Sequence, residues 1–160
     1  QTRVGKNGRT FRIYKFRSMV MDADKQKEML MSRNKIRGNM FKMDDDPRII
    51  PGIGHFIRRT SLDEFPQFWN VLKGDMSVVG PRPHMLIHTE QYCDIIPEYN
   101  KRLIVKPGIT GWAQIHNLRG ETEKLDKMKK RVEYDIWYIE HWSFSLDLKI
   151  MFNTMKIIFR

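Results

Sequence analysis

A mixed α+β fold, mainly helical, with short strands and amphipathic interfacial helices in one domain, is predicted by three features of the sequence. Residues 1–19 alternate basic and apolar side chains around Gly5 and Gly8, the pattern of a hairpin or extended ribbon. Two later stretches repeat apolar residues every three or four positions, as one face of a helix does. The 160 residues, 41% hydrophobic and 11% aromatic, are enough for one well-buried core and too few for two ordinary domains.

The elements follow in order. Val4, Phe11, Ile13 and Phe16 lie between Arg9, Arg12, Lys15 and Arg17, so the ribbon leads into YKFRSM at 14–19, where an alternating strand puts Lys15 and Arg17 on one face. Residues 22–35 are rich in Lys, Gln, Glu, Met and Leu without a clean apolar stripe, which predicts an exposed helix. Residues 38–54 carry DDDP at 44–47, then Pro51 and Gly52, and predict a loop whose adjacent carboxylates face solvent. Ser61 followed by Glu64 fits a capping box, so a helix is expected from about Leu62, with Pro66 in its first turn and Gly74 at its end. The stretch at 76–80, MSVVG, predicts a short buried strand running into Pro81, Arg82 and Pro83, and KPGITGWAQI at 106–115 predicts a glycine-punctuated loop. Leu125, Met128, Val132, Ile136 and Ile139 mark one helical face with Asp135 at its edge. In the last segment Phe144, Leu148, Met151, Met155 and Ile158 form one stripe and Lys149, Asn153, Lys156 and Arg160 another, a basic amphipathic helix.

Composition narrows the partner. With 29 Lys and Arg against 19 Asp and Glu, the formal charge is +10, which favours phosphates or an anionic surface: nucleic acid, a nucleotide substrate or an acidic membrane. One cysteine, Cys93, excludes an intramolecular disulfide scaffold and a cysteine-rich metal cluster. No apolar run approaches the roughly 18 residues of a spanning helix, and neither GxGxxG nor GxxxxGK[ST] is present. His84, His88 and His141 lack a convincing ligand spacing.

Asp63 and Glu64 fall at a predicted helix N-terminus, where the backbone field favours the ionised carboxylate. Such a pair suits a nucleophile toward phosphorus or a ligand for a hard cation such as Mg2+, and equally suits two ordinary first-turn acids. Arg58 and Arg59 lie just upstream, and Arg82 stands between two prolines, a stiff mount for a phosphate-binding fork.

The blocks YKFRSM, TSLDEFPQFWNVLKGDMSVVGPRP at 60–83, KPGITGWAQI and YDIWYIEHWSFSLDLKI at 134–150 together resemble the bacterial sugar transferase family, the monotopic polyprenyl-phosphate phosphoglycosyl transferases. The resemblance runs from about Val4 to the end without a break, and FKMDDDPRIIPGIGHFIRRTS at 41–61 is similar to the longer, hexose-transferring members. It implies transfer of a sugar 1-phosphate from a UDP-sugar, glucose or galactose foremost, to undecaprenyl phosphate with release of UMP, an early step of exopolysaccharide, capsule or O-antigen assembly. By that resemblance Asp63 is the nucleophile of a phosphosugar-aspartyl intermediate, and Glu64 helps Asp63 hold Mg2+. Lys15, Arg17, Arg58 and Arg82 are then candidates for the diphosphate and the lipid phosphate, and Asp135 for the same substrate site. Family members carry a hydrophobic re-entrant segment ahead of the position matched by Gln1, so residues 1–160 are expected to form a catalytic domain apart from that anchor. The expected setting is the cytoplasmic face of a bacterial plasma membrane, with the basic C-terminal helix on the anionic surface. A basic nucleic-acid-binding module is the alternative from charge alone, but its basic residues are scattered and no recognition motif accompanies them.

Overall fold

A computed structural model describes residues 1–31, 43, 45–118 and 125–158. They form α+β structure in two compact units: Lys15–Phe65, and Gln1–Tyr14 with Pro66–Arg160.

The larger unit begins with the expected hairpin. β1 (Thr2–Val4) pairs antiparallel with β2 (Thr10–Arg12), Arg3 opposite Phe11. The connecting turn places Asn7 at φ 55° and Gly8 at φ 76°, the left-handed region that asparagine and glycine enter at least cost.

α3 (Gln67–Leu72) inverts the usual sorting of polar and apolar side chains. Gln67 and Asn70 are buried, whereas Trp69 is 59% and Leu72 78% exposed. Asn70 explains the inversion by satisfying three partners at once. Its Oδ1 accepts from the Tyr14 N–H at 3.0 Å, and its Nδ2 donates to the Arg12 carbonyl at 2.8 Å and to Asp75 Oδ2 at 3.2 Å. A buried amide fully engaged in this way ties the end of the hairpin to the helix. Gly74, at φ 83°, closes α3 as the sequence predicts.

β3 (Ser77–Val79) is the expected strand, but its partner is a correction. The segment predicted as a glycine-punctuated loop contains β4 (Gly108–Thr110), parallel to β3 with Ser77 opposite Gly108 and Val79 opposite Thr110. The glycines permit contact between backbones: a Cβ on Gly108 would lie 2.1 Å from the Gly80 nitrogen, and one on Gly111 2.2 Å from the Gly80 oxygen. β3 leads through a turn to α4 (Leu86–Cys93) and a 3-10 segment, Tyr99–Leu103.

α5 (Leu125–Glu140) buries the predicted face at Met128 and Val132 and partly at Ile136 and Ile139, while Leu125 at its start is exposed. Met128 and Val132 pack with Tyr92, Ile96 and Tyr99, while Tyr138 joins Val79 and Ile150 in a second cluster. α6 (Phe144–Ile158) is the predicted helix with a different buried face. Ile150 is its fully buried residue, while Phe144, Leu148 and Met155 of the predicted stripe are 70%, 48% and 52% exposed. The helix is apolar on more than one side, so periodicity alone does not fix which side faces the core. No helix among the described residues is long and apolar enough to cross a membrane.

In the smaller unit α1 (Ala23–Met29) lies within the predicted helix, of which 32–35 fall outside the described residues. Residues 13–18 are not a strand, because β2 ends at Arg12 and the chain continues without regular secondary structure. The predicted loop is also shorter than expected, since Gly54 belongs to α2 (Ile53–Arg59). A Cβ there would meet the Ser18 carbonyl at 2.6 Å. The solvent-facing reading of DDDP is corrected at Asp46, while Asp44 falls outside the described residues. Asp46 is buried, and Arg48 donates to it through Nε at 2.8 Å, Nη2 at 2.6 Å and its own backbone N–H at 3.1 Å. The Arg48 hydrogen bonds hold the Asp46 carboxyl below its ordinary pKa of 3.8.

Candidate functional site

The Asp-Glu pair lies in the smaller unit, on a 3-10 turn, Leu62–Glu64, in place of the continuous helix expected from Leu62. Two local causes break the helix. Ser61 adopts φ 59° and makes no side-chain capping hydrogen bond, so the capping box does not form. Pro66 has no N–H for the Leu62 carbonyl, which is bonded instead by Phe65 in the tighter 3-10 pattern. α2 packs against this turn and ends in Arg58 and Arg59.

Lys15 completes the arrangement. The backbone N–H of the next residue, Phe16, donates to the Asp63 carbonyl at 3.0 Å and fixes the ribbon beside the turn. Lys15 Nζ then donates to Glu64 Oε1 at 2.8 Å and lies 3.6 Å from Asp63 Oδ2. Exposure separates the two acids: Glu64 retains 9% of its side-chain surface, Asp63 15% and the Lys15 side chain 29%. One carboxylate is therefore an anchored acceptor, and its neighbour remains more open to a reactant.

The residues fit a cation-assisted site. The Lys15 ammonium lies against both adjacent carboxylates. Among the described residues no group of three or more His, Cys, Asp or Glu converges. Asp63 and Glu64 would accordingly hold a hard cation together with phosphate and water oxygens, the manner in which Mg2+ is usually bound. Arg58 and Arg17 belong to the same unit and are exposed, and no hydrogen bond or ion pair joins either to the carboxylates among the described residues.

Arg82 and Asp135 belong to the larger unit and meet through a third residue that the sequence does not single out. Asp135 is fully buried, and its Oδ2 accepts from Arg102 Nε at 3.0 Å and Nη2 at 2.8 Å. Burial pushes the Asp135 carboxyl up, against the opposing pull of Arg102. Arg102 Nη2 also donates to the Arg82 carbonyl at 2.7 Å. Next to this turn the His84 imidazole is buried, with Nδ1 2.6 Å from Tyr99 Oη. Burial, reinforced by Arg102 and Arg131, pulls its pKa well below 6.5 and keeps the ring neutral.

The basic face of α6 is partly as expected, with Arg160 outside the described residues. Lys149, Asn153 and Lys156 line an open pocket of about 320 Å³ with Trp112 and His116, and Lys149 Nζ lies 5.7 Å from the Trp112 ring centre.

Residues 1–160 match the family model described as bacterial sugar transferase. A UDP-glucose:undecaprenyl-phosphate glucose-1-phosphate transferase of Escherichia coli K12 is 51% identical over 97% of this chain and 31% of its own length. A galactosyl transferase of Streptococcus agalactiae is 49% identical over 99% of this chain and 33% of its own. A UDP-N-acetylgalactosamine-undecaprenyl-phosphate N-acetylgalactosaminephosphotransferase of Aeromonas hydrophila is 42% identical over 99% and 34%. The chain spans about a third of the length of these curated relatives.

Proposed function

The chain belongs to the bacterial sugar transferase family, and we propose that it carries the chemistry by which a sugar 1-phosphate passes from a UDP-sugar to undecaprenyl phosphate with release of UMP. The observation that carries this reading is the Lys15-bridged carboxylate pair with its unequal burial.

In the proposed reaction the Asp63 carboxylate attacks the sugar-bearing phosphorus. A P–O bond forms to Asp63 as the bond to UMP breaks, and UMP leaves with the electron pair. An oxygen of the lipid phosphate then attacks the same phosphorus, and Asp63 departs as the carboxylate. Lys15 stabilises negative charge beside the reacting oxygen, and its hydrogen bond to Glu64 orients the pair. A bound Mg2+, held by Asp63 and Glu64, would supply neutralisation of the phosphoryl oxygens. Arg17, Arg58 and Arg82 are assigned to phosphate oxygens of the two substrates. The donor is assigned as UDP-glucose or UDP-galactose, the sugars of the relatives from Escherichia coli and Streptococcus agalactiae. α6 is assigned to the cytoplasmic surface of an anionic membrane, through exposed Phe144, Leu148, Phe152 and Met155 with Lys149 and Lys156.

The test is UMP release by the membrane-reconstituted protein with Mg2+, undecaprenyl phosphate and a panel of UDP-sugars. Release with a hexose donor, abolished by Asp63→Asn, is the expected result; release undiminished by that substitution overturns the assignment of Asp63. The nucleic-acid alternative gains no support, since the relatives from Escherichia coli and Aeromonas hydrophila are named as sugar-phosphate transferases.

A further inference from the structure

The turn that carries Arg82 is held at every residue from 80 to 84. The Gly80 N–H donates to the Thr110 carbonyl at 2.9 Å, and the Pro81 carbonyl accepts from Gly108 at 2.9 Å. The Arg82 carbonyl accepts from Arg102 at 2.7 Å, Pro83 fixes its own φ, and the His84 carbonyl accepts from the Val4 N–H at 3.1 Å. Pro81, Pro83 and His84 are buried, and Arg82 alone among residues 80–84 is not. Among these restraints, the hydrogen bond to the Arg82 carbonyl comes from a side chain. It is an arginine 3% exposed, whose guanidinium is oriented by two hydrogen bonds to Asp135 on α5. The Arg102 carbon Cζ also lies 5.5 Å from the Tyr99 ring centre, so its plane is confined from a third direction.

A buried Arg–Asp pair is weak evidence of stability in itself, because removing two charges from water offsets most of their attraction. A pair that only filled space would be replaceable by two apolar side chains. This pair spends an additional donor on a backbone carbonyl that two apolar side chains would leave without it.

On the reading that Arg82 binds a substrate phosphate, we infer that Arg102 is a positioning residue for Arg82. It fixes the peptide plane on the C-terminal side of Arg82 and thereby the direction in which the Arg82 guanidinium leaves the turn. Asp135 acts one step further back by holding Arg102. This places Asp135 behind the phosphate-binding residue, in support of it, and gives the buried carboxylate a task without contact to substrate.

The experiment uses the membrane-reconstituted protein, Mg2+, saturating undecaprenyl phosphate and a varied UDP-hexose, with kcat and KM for the donor measured separately and folding followed by thermal unfolding. Arg102→Lys keeps a cation beside Asp135, but its single ammonium cannot reproduce the planar fork to both acceptors. The expected result is a KM for the donor raised about tenfold with a much smaller change in kcat, the size of one misplaced charge-assisted contact. The double variant Arg102→Met with Asp135→Leu, which removes both members of the pair together, is expected to give the same rise should Arg102→Lys fold poorly. In an Arg82→Met background neither change should raise KM further, because there is no guanidinium left to aim. A merely structural role would lower the active fraction, and so apparent kcat, at unchanged KM; that result overturns the inference. Multiplicative effects of Arg82→Met and Arg102→Lys on KM overturn it too while leaving the assignment of Arg82 standing. An Arg82→Met variant with unaltered KM removes both.

Discussion

Lys15 Nζ donates to Glu64 Oε1 at 2.8 Å across 49 residues of sequence, and the same ammonium lies 3.6 Å from Asp63 Oδ2. This contact joins the YKFRSM block to the Asp-Glu turn and makes one electrostatic unit of three side chains. Replacing Lys15 by Met removes the cation between two carboxylates and raises their mutual repulsion. UMP release should fall by about 100-fold, in the range for loss of one preorganised charged donor. Lys15→Arg, which keeps the charge, should retain much more activity; equal rates for Lys15→Met and the unsubstituted protein would remove Lys15 from the chemistry.

Asn70 ties Tyr14, Arg12 and Asp75 to α3 while fully buried. Asn70→Leu fills the same space without a donor or acceptor and strands a backbone N–H and a backbone carbonyl. Stability should drop by about 2 kcal/mol, the low end for two part-buried backbone groups left without their partner. Denaturant unfolding reads this as a lower midpoint at unchanged slope.

Which parts of this arrangement are legible in the sequence follows from the range of the forces involved. The hairpin, the face of α5 and the stop at Gly74 depend on neighbours within a few positions, and the structure has them where periodicity and turn chemistry put them. β4 is not legible. Its strand consists of Gly108–Thr110, and only the approach of Gly80 from a distant segment explains why glycine belongs there. Ser61 and Glu64 match a capping box in sequence, yet Ser61 turns left-handed and Glu64 bonds Lys15, a partner local spacing does not reveal. Asp135 is legible as a carboxylate beside an apolar stripe. Its partner Arg102, 33 residues away in an otherwise exposed basic stretch, carries no local signal at all.

Acid sensitivity follows from Asp46. Its folded pKa lies below the ordinary 3.8 because Arg48 donates to it, so the unfolded chain takes up a proton before the folded one does. The contribution of the pair is complete above the unfolded value and is lost as pH falls through the folded one. Between about pH 5 and pH 3 the unsubstituted protein should lose stability more steeply than Asp46→Asn. Parallel stability profiles for the two proteins across that window would contradict the assignment.

α6 leads to a separate expectation for membrane binding. With Lys149 and Lys156 each contributing roughly 1 kcal/mol near an anionic surface, Lys149→Gln with Lys156→Gln should weaken binding to phosphatidylglycerol-containing vesicles by about 30-fold. Phe152→Ser should weaken binding to anionic and zwitterionic vesicles alike, because its contribution is insertion of apolar surface. Sedimentation with vesicles of graded anionic content checks both, and binding indifferent to charge in lipid and protein alike would reject α6 as the docking face.

The central claim is that Asp63 is the nucleophile, and the most direct measurement is peptide mapping of the reconstituted protein after brief incubation with UDP-glucose or UDP-galactose and Mg2+, without lipid acceptor, quenched in acid. The account predicts a hexosyl-phosphate adduct on the peptide carrying Asp63, missing in Asp63→Asn and discharged when undecaprenyl phosphate is added. UMP formation upon addition of donor and acceptor with no adduct at Asp63 under any quench, or an adduct that persists in Asp63→Asn, would contradict it.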